Sequence, residues 1–210
     1  TPDLAHAIVR AARQGLEDWA GGQSIHSQGF KPSRIEFIHT LNHSRSGVPV
    51  VPRRLLPLSI KTRLGFDCVV VERWVEHLLE ARPAAITLHG RTLQQMYRGA
   101  ADWSAIAEAA KLAHGTGTLM LGNGDLNTLV DAIRRAAESK VQGVLVGRGT
   151  LGSPWFFREK EQARRAFSEW DDLATLPATA WEPQVSVNHR MQVMLDHARQ
   201  YEAIAGLERF

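Results

Sequence analysis

The stretch that decides the fold is Leu55-Leu56-Pro57-Leu58-Ser59-Ile60-Lys61-Thr62-Arg63-Leu64-Gly65. Leu56, Leu58 and Ile60 alternate with Pro57, Ser59 and Lys61, the period-two pattern of a β-strand. The apolar set faces covering helices, which sends Ser59, Lys61 and Arg63 to the opposite side. The strand closes on a basic turn, Lys61-Thr62-Arg63, and a polar or glycine-rich close recurs three times downstream. Ala84 to His89 ends in His89-Gly90-Arg91-Thr92, with Ile86 and Leu88 facing one way and Ala85, Thr87 and His89 the other. Thr118 to Asn123 ends in Gly122-Asn123-Gly124-Asp125, and Gly143 to Gly147 ends in Gly147-Arg148-Gly149. Helical patterns lie between them, at Val70 to Ala81 (stripe Val71, Trp74, Val75, Leu78 and Leu79), Trp103 to Leu112 and Thr128 to Glu138.

Strands alternating with helices through short loops give a parallel sheet with right-handed crossovers. Ligand-binding groups then gather at the carboxyl ends of the strands. Lys61 and His89 sit on the face that a barrel would enclose, at its catalytic rim. That selects, over part of an open doubly wound α/β sheet, half of a TIM (β/α)8 barrel, with four parallel strands and their helices; which half follows from the resemblance given below, where it is the C-terminal half.

Working outward, Pro2 and Asp3 introduce a helix to Trp19 in which Leu4, Ile8, Ala11, Ala12 and Leu16 share a face. From about Ala20 to Arg54, Gly21-Gly22, Gly29, Pro32, Gly47, Pro49 and Pro52 punctuate Ser- and His-rich sequence. This reads as an insertion holding a short strand at Arg34 to Ile38. Downstream, Pro154-Trp155-Phe156-Phe157 opens a basic helical stretch to about Trp170, and Asp171 to Gln184 reads as a linker. Val187 to Ala205 is an amphipathic helix carrying Met191, Met194, Leu195, Ala198 and Tyr201. The expected organisation is a partial barrel over 1–157, a helical stretch and linker over 158–184, and the start of a helical domain over 185–210.

The 210 residues are 44% hydrophobic, enough for a sizeable core, and the formal charge of +3 fits phosphate or nucleic-acid contact without establishing it. One cysteine excludes an internal disulfide framework. No apolar run reaches the ~18 residues of a membrane span, and no signal-peptide pattern is present. The expectation is a soluble, cytosolic protein with no membrane partner. The chain opens inside a helix and closes just after one, so a segment of a longer protein is expected. Composition leaves the oligomeric state open.

Taken in order, Leu58-Ser59-Ile60-Lys61-Thr62-Arg63-Leu64-Gly65, Ile86-Thr87-Leu88-His89-Gly90-Arg91-Thr92, Ala101-Asp102-Trp103, Leu121-Gly122-Asn123-Gly124-Asp125 and Val146-Gly147-Arg148-Gly149 through Gly152-Ser153-Pro154-Trp155-Phe156-Phe157 resemble the second half of the flavin-dependent tRNA-dihydrouridine synthases. The resemblance runs from about Leu55 to Phe157, with a looser match in the helical tail. It implies an FMN-containing barrel that takes reducing equivalents from NADPH and passes a hydride to a uridine in tRNA. The strands here would be its fifth to eighth. Cofactor contacts carried over are Lys61, His89, Asn123, Gly124, Asp125, Gly147 and Arg148, the last two and the Asn-Gly-Asp turn on the phosphate. Lys61 would place its ammonium near the pyrimidine edge of the flavin. Arg63 and Arg91 are carried over as contacts to tRNA, Arg91 to a phosphate or the flipped uridine.

Each residue has a plainer reading when taken alone. A lysine at a strand end is usually a solvated cap, and a single histidine a hydrogen-bonded structural residue. Asp102-Trp103 reads as a helix cap with a packed indole. His39 and His43, spaced i, i+4, would suit a metal only on a helix with a third ligand, so no metal is expected. Cys68 follows the fifth strand of the family pattern, whereas the family's catalytic cysteine follows the fourth and precedes a proline. Cys68 is therefore expected to be a packing residue, and this chain to carry no catalytic acid. The isolated polypeptide is expected to be inactive and poorly folded. Two other readings stand beside the synthase: a barrel oxidoreductase using FMN on a small molecule, and a non-catalytic tRNA-binding homologue.

Overall fold

The computed structural model describes residues 1–44, 52–161, 163, 165, 177, 180 and 183–205. Helix α1 (Pro2–Ala20) is followed by a 3-10 turn (Ile25–Gln28) and α2 (Pro32–Ser44). The alternating module then runs β1 (Ser59–Arg63), α3 (Val71–Glu80), β2 (Ala85–His89), α4 (Trp103–Ala113), β3 (Leu119–Asn123), α5 (Leu129–Ser139) and β4 (Gly143–Leu145). A short 3-10 turn (Arg148–Thr150) follows β4, and α6 (Val187–Ala205) lies near the end of the chain.

All three strand pairs are parallel and the sheet order is β1-β2-β3-β4. Sequential order with a helix in each crossover is the winding of a (β/α)8 barrel, of which this is a four-stranded part. Ile86, Leu88 and Met120 are fully buried on the face covered by helices, together with Val75 and Leu78 of α3 and Ile106 and Ala109 of α4. Gly122 lies beneath α4 because a side chain there has no room: a Cβ would stand 2.5 Å from the Trp103 ring. Lys61, Arg63, Thr87, His89 and Asn123 alternate with this core set, so they occupy the other face, as strand parity requires.

The chain divides into two compact units. The first comprises Thr1–Asp125 and Arg135–Leu145; the second comprises Leu126–Arg134 and Val146–Phe210. Within the second, Leu129, Phe156 and Ala163 form a buried cluster against which Ile133 and Val146 pack.

Three sequence expectations are corrected here. Arg34 to Ile38 is not a strand but part of α2. Ile35, Phe37 and Ile38 have strand-like character, yet Pro32 stands at the helix start, where its missing N–H costs nothing, and Arg34 and Ile35 donate to the Lys31 carbonyl. In α1 the expected stripe does not face inward. Leu4 is 58% and Ile8 60% exposed, while Val9 is buried. Strand β1 begins at Ser59, and Leu55 and Leu56 are exposed ahead of it. The expected basic helix and linker over 158–184 lie mostly outside the described residues.

Candidate active-site rim

The carboxyl ends of β1, β2 and β3 stand in one register row, Arg63 beside His89 and His89 beside Asn123. Lys61 is one inward position earlier on β1, and its Nζ reaches Asn123 Oδ1 at 3.4 Å across the sheet. Asn123 Nδ2 donates to the Leu145 carbonyl at 2.9 Å, which fixes the amide with its oxygen towards the lysine. Arg63 donates through Nη1 to the Thr92 carbonyl at 2.9 Å. The rim therefore presents an ammonium, an amide and an imidazole side by side, with Lys61 itself exposed.

His89 is half-buried, and burial pushes its pKa down to about 4, helped by the positive charges of Arg63, Lys61 and Arg91 and opposed by Asp125. Its imidazole is neutral at neutral pH and can donate from one nitrogen while accepting at the other. Gly124, at φ 137°, packs against this ring; a Cβ there would lie 3.4 Å from His89 Cδ2 and 2.6 Å from the Ala101 Cβ. Only glycine fits.

Arg91 is placed differently from its sequence assignment. The residue is 2% exposed. Its Nη2 donates to both Asp125 oxygens, at 2.6 and 2.8 Å, and its Nη1 donates to the Arg98 carbonyl at 3.0 Å. A guanidinium so enclosed offers no surface to a tRNA phosphate. Asp125, expected at the cofactor, has its carboxylate turned to Arg91 and to the Ala101 N–H at 2.7 Å. The pairing was within reach of the sequence: His89-Gly90-Arg91 and Asn123-Gly124-Asp125 are aligned triplets after neighbouring strands, with opposite charges at the same offset.

Asp102 caps α4 by accepting from the Ala105 N–H at 2.9 Å, and these hydrogen bonds hold its carboxyl below the usual range. The buried Trp103 donates from Nε1 to the Gly124 carbonyl at 3.1 Å, so the capping motif also anchors the glycine turn of the next strand. Cys68 is exposed in the turn before α3 and is not a packing residue; its thiol pKa is raised by the adjacent Asp67 carboxylate. Its neighbours Phe66, Val69 and Val70 are exposed as well, so the turn as a whole stands clear of the core.

Gly147 and Arg148 belong to the second unit and are exposed there. A Cβ on Gly147 would meet nothing within 4 Å, whereas one on Gly149 would strike the Leu126 carbonyl at 2.4 Å. Gly149 is thus required by the fold, and Gly147 leaves backbone open to a ligand.

His39 and His43 lie on α2 after all, but their partners are local. His39 Nε2 is 3.4 Å from His26 Nε2, and His43 Nδ1 donates to the His39 carbonyl at 3.1 Å. Among the described residues, His6, His77 and Glu80 gather three potential metal ligands. The two rings are stacked, centroids 3.9 Å apart, and His6 Nε2 donates to the His77 carbonyl at 2.6 Å. A nitrogen bearing that proton has no lone pair for a metal, and stacked rings aim theirs in parallel. The cluster clasps α1 to α3. No described helix is long and apolar enough to cross a membrane.

The profile of the dihydrouridine synthase (Dus) family matches residues 43–206. A probable tRNA-dihydrouridine synthase of Aquifex aeolicus is 40% identical over 109 residues, covering 52% of this chain and 34% of that protein. Its counterpart in Mycobacterium leprae is 38% identical over 115 residues, 51% of this chain and 28% of the relative. A Xenopus tropicalis protein named as a tRNA-dihydrouridine(47) synthase-like protein, with NAD(P)(+) in its name, is 34% identical over 122 residues, 57% of this chain and 18% of its own. The chain thus spans between 18% and 34% of the length of these relatives.

Proposed function

The chain belongs to the dihydrouridine synthase family, and from that premise we propose that the protein carrying it reduces uridine in tRNA to dihydrouridine with FMN as cofactor and NADPH as reductant. The observation that carries the reading is the rim itself: Lys61, His89 and Asn123 converge on one open, polar edge of a parallel sheet.

This donor set fits a flavin. A bound FMN would supply the hydride. Lys61 is proposed to set its ammonium at the pyrimidine edge of the ring system, where negative charge accumulates on reduction and a fixed cation stabilises it. Asn123, its amide held by the Leu145 carbonyl, is proposed to orient Lys61 through its Oδ1. Neutral His89 is proposed to line the same edge as a donor or acceptor without adding a second charge. Arg63 stays at the rim as the cation for the tRNA backbone. In the second unit, Gly147 and Arg148 are proposed to hold the phosphate: glycine opens the backbone N–H groups, and arginine binds phosphate bidentately. Gly124 is proposed as the close-approach residue next to His89. Among the described residues of the rim, none is proposed as the acid for the substrate carbon.

One preparation tests this. The intact protein is purified and its 450 nm absorbance and dihydrouridine formation on unmodified tRNA are measured. Lys61→Ala should lower turnover more than flavin content. Arg148→Ala should lower flavin affinity by about one to two decades, the worth of one charge-assisted contact of ~1.5–3 kcal/mol. A colourless wild-type protein, or full flavin content and turnover in both variants, overturns the reading.

A further inference from the structure

We infer that Arg91 and Asp125 form a buried latch that positions His89 and Asn123 at the rim, acting through those neighbours and not by touching tRNA or flavin. The inference rests on the rim being the ligand site proposed above.

The geometry is built around one ion pair. The register ends at His89 beside Asn123; Gly90 and Gly124 follow one residue later, and Arg91 and Asp125 two residues later. The Gly90 N–H donates to the Asn123 carbonyl at 2.9 Å, and the Asp102 N–H donates to the Gly90 carbonyl at 2.6 Å. From the first strand, the Leu64 N–H donates to the Arg91 carbonyl at 3.2 Å. Asp125 takes the Ala101 N–H, and Trp103 takes the Gly124 carbonyl. Three strand-end loops therefore meet at the Arg91–Asp125 pair, whose arginine side chain is 3% exposed.

Asp125 sits at φ 48°, a left-handed turn conformation that aspartate adopts more readily than most residues, and it is fixed there by its bonds to Arg91 and the Ala101 N–H. Gly124, between Asn123 and Asp125, lies so near the His89 ring that a Cβ on it would stand 3.4 Å from Cδ2, so a displaced Asp125 is expected to disturb both the ring and the amide that Lys61 reaches. A charge removed from one partner leaves the other buried and uncompensated. A lysine in place of Arg91 keeps the charge but loses the planar fork that bonds Asp125 and the Arg98 carbonyl together.

The latch is tested in the intact protein with Arg91→Ala, Arg91→Lys, Asp125→Asn and the Arg91→Ala/Asp125→Asn double variant. Turnover should fall on the order of a hundredfold in the single variants, because small misplacements of reacting groups cost that much. KM for tRNA and the slope of binding against salt should stay at wild-type values, lysine should not rescue, and the double variant should be no worse than the poorer single variant. If Arg91→Ala does not fold, Arg91→Lys and Asp125→Asn decide. Rescue by lysine, or a salt slope reduced by about one charge, makes Arg91 a phosphate contact and overturns the latch. Should the wild type form no dihydrouridine, the functional reading fails separately. The latch is then judged by nuclear magnetic resonance: Arg91→Lys must shift the His89 ring and Asn123 amide signals, and unmoved signals overturn it.

Discussion

Helices α4 and α1 are both amphipathic, yet they are held by different forces. Helix α4 buries Trp103, Ala105, Ile106, Ala109, Ala110 and Ala113 against the sheet and its neighbours. Its Trp103 ring lies so close to the sheet that Gly122 below cannot carry a side chain. Helix α1 buries Val9 alone. It docks instead through polar groups: Arg13 Nη2 donates to the Ala81 carbonyl at 2.6 Å and to the Arg82 carbonyl at 3.2 Å, and His6 to the His77 carbonyl. These carbonyls lie at the C-terminal end of α3 and just beyond it, where intrahelical donors run out. One helix is a cover driven by apolar burial; the other is a clasp on a helix end, and its hydrophobic pattern does not say which face it turns inward.

The sharpest way to break this contrast is a matched pair of truncations. Ile106→Ala should cost ~2–5 kcal/mol, since it empties a fully buried site, whereas Ile8→Ala should cost under ~0.5 kcal/mol. Urea denaturation of both variants decides it, and equal costs would abolish the distinction. Next in size, Gly124→Ala should cost ~1–3 kcal/mol through its left-handed φ and the Ala101 contact, and should lower flavin content of the intact protein as well. A variant that is stable and fully yellow would separate the loop from the site.

Smaller still, Arg13→Ala should cost ~1–2 kcal/mol, a charged donor lost from two carbonyls, with flavin content unchanged. Loss of flavin alongside would mean that the clasp reaches the rim. The last test is pH. The folded His89 has its pKa depressed to about 4 from an ordinary 6.5. Above 6.5 both states are neutral there. As pH falls from about 6.5 to 4 the unfolded chain takes up a proton that the folded one refuses, so stability declines through that window and levels off below it. His89→Gln should flatten melting temperature against pH over the same interval, and an unchanged profile would assign the slope elsewhere.

Much of the module was legible because it is periodic. The strands ending at Arg63, His89 and Asn123 and the helices between them follow from alternation at two and at 3.6 residues, and parity alone put Lys61 and His89 on the side opposite the core. Asp102 was readable as a cap because its position before Trp103 admits little else. Helix α2 was not, since Ile35, Phe37 and Ile38 carry strand preference and the helix is set by its start at Pro32. Arg91 was misplaced for a different reason: an arginine after a strand looks like a ligand contact until its partner is known, and that partner lies one strand away. The stacked His6 and His77 were beyond reach, because they come from helices whose packing angle no local pattern records.

The aligned triplets also bear on how such a barrel can be inherited and rearranged. Two neighbouring strand–loop units that carry opposite charges at one offset are complementary halves, and neither is interchangeable with a copy of itself. Duplicating the β2 unit in the β3 position would set two arginines face to face in a buried site, and duplicating the β3 unit would set two aspartates. The pair therefore couples the loops after β2 and β3, and a designer grafting new loops onto this rim must move both together.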